Sequence, residues 1–318
     1  MSKAISITLI NQDQRIDKFL LKNLKHVSYQ IILKKIKGGE VLVNNQKTTP
    51  NYRLKLNDTI LVENYDDKEN KTYIPISSQK PVQPSFGNFI VFEDDNLLVL
   101  DKPWGLASHS DSNNEDSVLK KVQDYYLSNP VLTKKTNGYL PQLCNRLDKE
   151  TRGLILVAKN QLTHTFINQK IATKEIQKFY LAKITGYFDV PEGLLEDYLT
   201  IKENCVKISE TKVNTEYVKI QTAYRTLNIN HKTNSSIVEI ELLTGKKHQI
   251  RAQMNFYHHP LINEKKYSRS PNKPTGNLGL ISYKLVFNFD NQDKDFGYLS
   301  KKVISLDKNK MIKLLESL

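Results

Sequence analysis

The chain has 318 residues, 39% hydrophobic and 25% charged, a globular composition long enough for two domains. Lys and Arg number 47 against 34 Asp and Glu, and the net charge of +13 favours a polyanion: nucleic acid or an anionic membrane surface. The opening Met1-Ser2-Lys3-Ala4 lacks the apolar core of a secretion signal, no apolar run reaches transmembrane length, and Cys144 and Cys205 cannot build a disulfide framework, so a reducing cytoplasm is expected.

Ile16, Phe19, Leu20 and Leu24 fall at helical spacing, and a second helix carries Ile32 and Ile36, with Ser28 as its expected N-cap. Gly38-Gly39 ends that helix. Val41 to Val43 then reads as a strand, Asn44-Asn45 as a turn, and Leu54 to Val62 as a return to extended chain. Residues 1–65 hold 11 Lys/Arg and 5 Asp/Glu, a net of +6, so nearly half the excess charge sits in a fifth of the chain. Lys18, Lys22 and Lys25 share a face of the first helix, and Lys34, Lys35 and Lys37 crowd the end of the second. Such lysines usually mark a solvated face. Clustered on two short helices that feed a hairpin, they also make a cationic platform suited to RNA phosphates.

A polar run followed by Pro75, Pro81 and Pro84 reads as a linker over residues 66–86. Ile90-Val91-Phe92 and Leu97 to Leu100 flank Asp94-Asp95-Asn96 as a hairpin. Helices are predicted over 117–127 and 161–171, with a closing helix over 307–318. Strands are predicted over 154–158, 179–184, 213–221, 223–228, 237–243 and 285–289. The expected fold class is α+β: a mixed, largely antiparallel sheet behind a small N-terminal α/β domain. No predicted helix joins a basic face to exposed aromatics, which argues against a membrane anchor.

Three stretches carry candidate chemistry. Cys144-Asn145-Arg146-Leu147-Asp148-Lys149-Glu150-Thr151-Arg152-Gly153 is a charged loop that delivers directly into an apolar strand, a rigid mount for a reactive carboxylate. An ordinary surface loop has the same composition. Gln177 to Ala182 places Tyr180 where a ring can face a nucleobase, although a lone strand tyrosine is more often core. Leu243 to Arg251 packs hydrogen-bonding groups after a strand, and Arg251 can pair with a carboxylate. His248, His258 and His259 have no recognised metal-ligand spacing, and there is no Walker loop or GxGxxG. The expectation is therefore chemistry by side chains, without a metal or nucleotide cofactor.

Together these stretches resemble the RluA-type family of RNA pseudouridine synthases. The HRLD-like loop stands as Asn145 to Gly153, the KxYxA-like segment as Lys178 to Ala182, and the TGRxHQIR-like segment as Thr244 to Arg251, before His258-His259-Pro260. An opening segment similar to the family's is Asp101 to His109. Arg15 to Leu20 and Gly39 to Asn44 resemble an S4 RNA-binding domain, and the whole is most similar to the RluC/RluD group. The resemblance implies an S4-like domain over 1–65, a linker over 66–86 and a catalytic domain over 87–318. It implies isomerisation of uridine to pseudouridine in large-subunit ribosomal RNA, free or in an assembly intermediate, by a cytoplasmic monomer. Asp148 matches the catalytic aspartate, Tyr180 the base-stacking tyrosine, Arg251 the arginine paired with the aspartate, and Arg146 the arginine that fills the gap left by the flipped nucleotide.

Asn145 stands where the family has His, Arg152 where a small residue is common, and Ile281-Ser282 where a His often precedes Ala. These bear on loop geometry and substrate fit, and none is assigned to the chemical step. Two other readings stay open: a non-catalytic S4-type RNA-binding or ribosome-assembly factor, and a cofactor-free hydrolase using Asp148 and His248.

Overall fold

A computed structural model of the chain describes residues 3–7, 12–24, 29–63, 86–110, 116–129, 131–132, 136, 139–203, 205–267, 274–291 and 293–318. Ser28, Lys25, most of the expected linker and the Lys22 side chain lie outside the described part. The chain divides into two compact units, Met1–Pro81 and Val82–Leu318.

In the first unit, β1 (Lys3–Ser6) precedes the helices α1 (Ile16–Asn23) and α2 (Tyr29–Gly38), then β2 (Val41–Val43), β3 (Gln46–Lys47) and β4 (Thr59–Val62). The strands form one sheet in the order β1-β4-β2-β3. Asn44 and Asn45 turn the chain at φ 50° and 63°, a left-handed pair that Asn tolerates and that sets the Val43↔Gln46 register. The core joins Ile16, Phe19 and Leu20 of α1 to Ile32 and Ile36 of α2 and to Val41, Ile60 and Val62 of the sheet. Only the end of the expected 54–62 extension is strand, because Asp58 folds the chain before it. That buried carboxylate accepts from Lys55 N–H at 2.8 Å, Asn44 Nδ2 at 2.8 Å and the Tyr52 hydroxyl at 3.0 Å.

The second unit opens with the hairpin β5 (Ile90–Glu93) and β6 (Leu97–Lys102), then α3 (Val118–Ser128), β7 (Gln142–Leu143), β8 (Arg152–Ala158) and α4 (Gln161–Ala172). Next come β9 (Ile176–Thr185), β10 (Glu192–Lys202), β11 (Cys205–Ser209), β12 (Val218–Asn230) and β13 (Ser235–Leu242). Helix α5 (Gln249–Phe256), β14 (Leu280–Phe287), β15 (Val303–Ser305) and α6 (Lys308–Glu316) complete it. One sheet runs β11-β10-β12-β13-β9-β14-β8-β6-β5, with β15 on β14 and β7 on β8. All of its pairings are antiparallel except β14 with β8.

From Leu154 to Ala158 strand β8 is apolar because both of its faces are covered. Leu154 and Leu156 pack with Phe166 and Ile167 of α4, while Ile155 and Val157 pack with Val118 and Val122 of α3. On β9, Tyr180, Ala182 and Ile184 face Ile250 and Met254 of α5, and Leu181 faces Met311 and Leu315 of α6. Gly153, at φ +122°, lets β8 meet β14. A Cβ there would lie 2.0 Å from the Ser282 carbonyl oxygen, so only glycine fits.

The structure departs from the sequence reading in several places. The strands expected over 213–221 and 223–228 are one strand, β12, which starts only at Val218. The strand expected over 285–289 starts earlier, at Leu280. Strands β10 and β11 and helix α5 were not legible. In β10 the inward-facing positions include Asp197, fully buried, which breaks the apolar alternation. Its carboxylate is satisfied by Gln253 Nε2 and by the Tyr257 hydroxyl at 3.0 Å. Helix α5 lacks an apolar stripe because it buries Gln249, Arg251 and Gln253, each with its own partner.

Candidate active site

The loop between β7 and β8 is held from several directions before it presents Asp148. Asn145 clamps it to β8: its Oδ1 accepts from Leu156 N–H at 2.6 Å and its Nδ2 donates to the Leu154 carbonyl at 3.3 Å. This residue, a departure from the family pattern, thus anchors the loop. Ser108 Oγ donates to the Leu147 carbonyl at 2.6 Å and accepts from its N–H at 3.0 Å. Leu147 drops into the core beside Tyr180, which turns the next side chain outward.

Lys102, 1% exposed at the end of β6, holds the far side of the loop. Its ammonium donates to the carbonyls of Pro103 at 3.0 Å, Leu106 at 2.8 Å and Lys149 at 3.2 Å. Burial pulls it down to about 8, against the opposing charges of Asp148, Glu150 and Asp101. Arg152, a second departure, makes a two-pronged pair with Asp101 at 3.2 and 2.7 Å and lies over the Trp104 ring. Its length is used to pin β8 to β6.

Helix α5 brings up the partners from about a hundred residues away. Arg251 Nη1 lies 3.3 Å from Asp148 Oδ2, and His248 Nε2 lies 3.6 Å from Asp148 Oδ1. The Asp148 side chain is 26% exposed, while those of Arg251 and His248 are 6% and 12% exposed. His248 sits at the helix start with φ +54°, a left-handed backbone that turns its ring toward Asp148. Its Nδ1 is 2.6 Å from the Tyr267 hydroxyl. Burial lowers the imidazole's affinity for a proton, Arg251, Lys266 and Lys247 lower it further, and Asp148 opposes them.

Glu264 was not singled out in the sequence. It grips Arg251 with two bonds of 2.8 Å, to Nε and Nη2, and is fully buried. Burial pushes its carboxyl upward, but Arg251 and the N–H groups of Lys266 and Tyr267 outweigh this and hold it below its usual range. The guanidinium is therefore shared between two carboxylates, one structural and one open to a substrate. A lone Glu in Asn263-Glu264-Lys265-Lys266 carries no sequence signal for this role.

Tyr180 is brought to the same place by β9 and is 6% exposed, so it forms the floor of the site. Burial and the charge of Asp148 push its phenol well above the usual range. Arg146, two residues before Asp148, is exposed and has no ion-pair partner among the described residues. Ser282, the third departure, is buried opposite Tyr180 in the β9–β14 register. His259 lies apart from His248, against the Thr185 carbonyl and the Phe188 ring.

In the first unit, Lys18, Lys34 and Lys37 are exposed on α1 and α2. Lys35 differs, since its ammonium is held by Glu40 at 2.7 Å. Among the described residues no helix is long and apolar enough to cross a membrane.

The family model described as RNA pseudouridylate synthase matches residues 96–256, and the S4 domain model matches residues 14–60. The ribosomal large subunit pseudouridine synthase C of Pasteurella multocida is 30% identical over 276 residues, covering 84% of this chain and 79% of its own. An uncharacterized RNA pseudouridine synthase of Mycoplasma capricolum is 30% identical over 312 residues, covering 92% of this chain and 94% of its own. Among solved structures, human RNA pseudouridylate synthase domain containing 4 has the same fold, with a TM-score of 0.56 and 19% identity over 73% of this chain and 93% of that one. The 96–256 match spans the loop of Asp148, the strand of Tyr180 and the helix of Arg251. The chain belongs to the RNA pseudouridylate synthase family and carries an S4 domain ahead of its catalytic unit.

Proposed function

We propose that this RNA pseudouridine synthase acts on large-subunit ribosomal RNA and that Asp148 carries the reaction. The observation behind the assignment is the placement of Asp148: a quarter exposed, between Arg251 and His248, with Tyr180 beside it. The relative from Pasteurella multocida, named for the ribosomal large subunit, supports the substrate class.

Uridine and pseudouridine contain the same atoms, so the reaction needs no net oxidant or reductant. A uridine in a stem must first be extruded, at roughly a few kcal/mol. Arg146 fills the space it leaves, and the uracil settles against Tyr180, a contact worth about 1–3 kcal/mol. Arg251 pairs with the Asp148 carboxylate and aims it at the sugar and base, where it acts as nucleophile or base. Lys18, Lys22, Lys34, Lys35 and Lys37 of the S4 domain bind the RNA backbone, with Lys35 exchanging Glu40 for a phosphate. The enzyme works as a cytoplasmic monomer, and its domains span residues 1–65 and 87–318 with the linker over 66–86.

Asp148→Asn tests the reading, because asparagine keeps the shape and one acceptor for Arg251. The variant is expected to bind a ribosomal RNA transcript as the wild type does and to form no pseudouridine in it. Undiminished pseudouridine formation would remove Asp148 from its role.

A further inference from the structure

The isomerisation leaves one proton to be accounted for. The N1–C1′ bond breaks and the C5–C1′ bond forms, after which C5 still carries its hydrogen. That hydrogen must leave as a proton, returning its electron pair to the ring as the C5=C6 double bond, and N1 must gain a proton. A base is needed beside C5, and that base must then be emptied for the next turnover. Tyr180 is poorly suited, since its buried phenol holds its own proton firmly. Arg251 is locked between two carboxylates. Among the described residues a polar path leads from Asp148 Oδ1 to His248 Nε2 at 3.6 Å, and from His248 Nδ1 to the Tyr267 hydroxyl at 2.6 Å.

We propose that His248 and Tyr267 form a proton relay that carries the C5 proton from Asp148 to solvent. This rests on Asp148 being the base of the reaction. Asp148 takes the proton from C5 and passes it from Oδ1 to His248 Nε2. His248 releases the proton on Nδ1 to the Tyr267 oxygen, and Tyr267 releases its own hydroxyl proton to water. N1 takes a proton from water, and His248 regains its starting tautomer by proton exchange with water, so the balance closes with no co-reactant.

Three features suit the pair to this task. The imidazole faces Asp148, Arg251, Lys247, Lys266 and Tyr267, and burial with the three cations keeps it neutral, able to accept one proton while giving up another. Burial holds the Tyr267 phenol up at about 12, so it begins with its proton in place. Tyr267 is only partly buried, which leaves an exit to water. The 3.6 Å gap is long for a hydrogen bond, and such gaps close as substrate fills a site.

The test uses full-length enzyme and ribosomal RNA transcripts made with uridine or 5-deuterouridine. Wild-type turnover is expected to be the same on both, because deprotonation is fast. His248→Gln and Tyr267→Phe are each expected to slow turnover by about 10²-fold and to become slower still on the deuterated RNA. Tyr267→Phe keeps the ring against His248, so it decides the matter if His248→Gln fails to fold. Slow variants with no deuterium effect would overturn the relay, leaving the pair a merely positional role. So would variants as fast as wild type. Asp148→Asn separates the two ideas: activity there defeats the base assignment, whereas an inactive Asp148→Asn beside isotope-insensitive relay variants defeats only the relay.

Discussion

Glu264→Gln isolates the support beneath Arg251, the partner of Asp148. The substitution keeps the volume and most of the hydrogen-bonding shape but removes the charge that faces a guanidinium 6% exposed. Two charge-assisted bonds of 2.8 Å are weakened, together with acceptance from Lys266 N–H at 2.7 Å. Breaking a buried pair from one side costs about 3–5 kcal/mol. Asp148, 3.3 Å from the same guanidinium, still supplies one anion, which places the expected loss near the lower end, about 3 kcal/mol. For a unit of this size that is a fall in Tm of roughly 6–12 °C. The pH dependence gives a second check. The folded Glu264 carboxyl sits below its unfolded value of 4.5, so its stabilisation is full above that value and fades as pH falls through the folded one. Wild type and variant should therefore differ most near neutrality and converge on acidification. Equal melting temperatures at pH 7, or a gap that widens in acid, would refute the claim that Glu264 holds Arg251 through charge.

The same geometry carries two more expected outcomes. Asn145→Ala leaves Leu156 N–H without its 2.6 Å acceptor and frees the Asp148 loop from β8, so chemical denaturation should show a loss of about 1–3 kcal/mol and kcat should fall; unchanged values would make Asn145 a bystander. On the opposite face of the sheet, Glu239 accepts from the Tyr283 hydroxyl and pairs with Lys308 and with Arg225, both pairs at 2.8 Å. Burial opposes this carboxylate's charge, but these partners bring it down to about 2, so the hold on α6 should be full above 4.5 and lost between there and about 2. Hydrogen exchange of the α6 amides should rise over that window in wild type and much less in Lys308→Met, and matching profiles would count against the clamp.

Much of the fold was legible in the residues alone. Apolar runs such as Leu154 to Ala158 and Leu97 to Leu100 fill strands covered on both faces, so hydrophobicity alone marks them. Helix caps are local signals too. Ser117 accepts from Lys120 N–H and Asp307 from Lys310 N–H, and both helices start within one residue of the expected 117 and 307. Asp148, Tyr180 and Arg251 were legible only as ordered motifs, because nothing local says that residues 103 apart will meet. The rest was set by long-range contacts. Helix α5 and strand β10 are built around buried polar groups, and a Gln, an Asp or an Arg reads as surface until its partner is known. Glu264 and Lys102 are cases of the same kind: each is a charge that burial would forbid alone, made stable by partners supplied from elsewhere in the fold. The pattern of apolar residues sets where the chain is buried. Which buried charges pair, and so where Asp148 is aimed, depends on contacts that exist only once the sheet has closed.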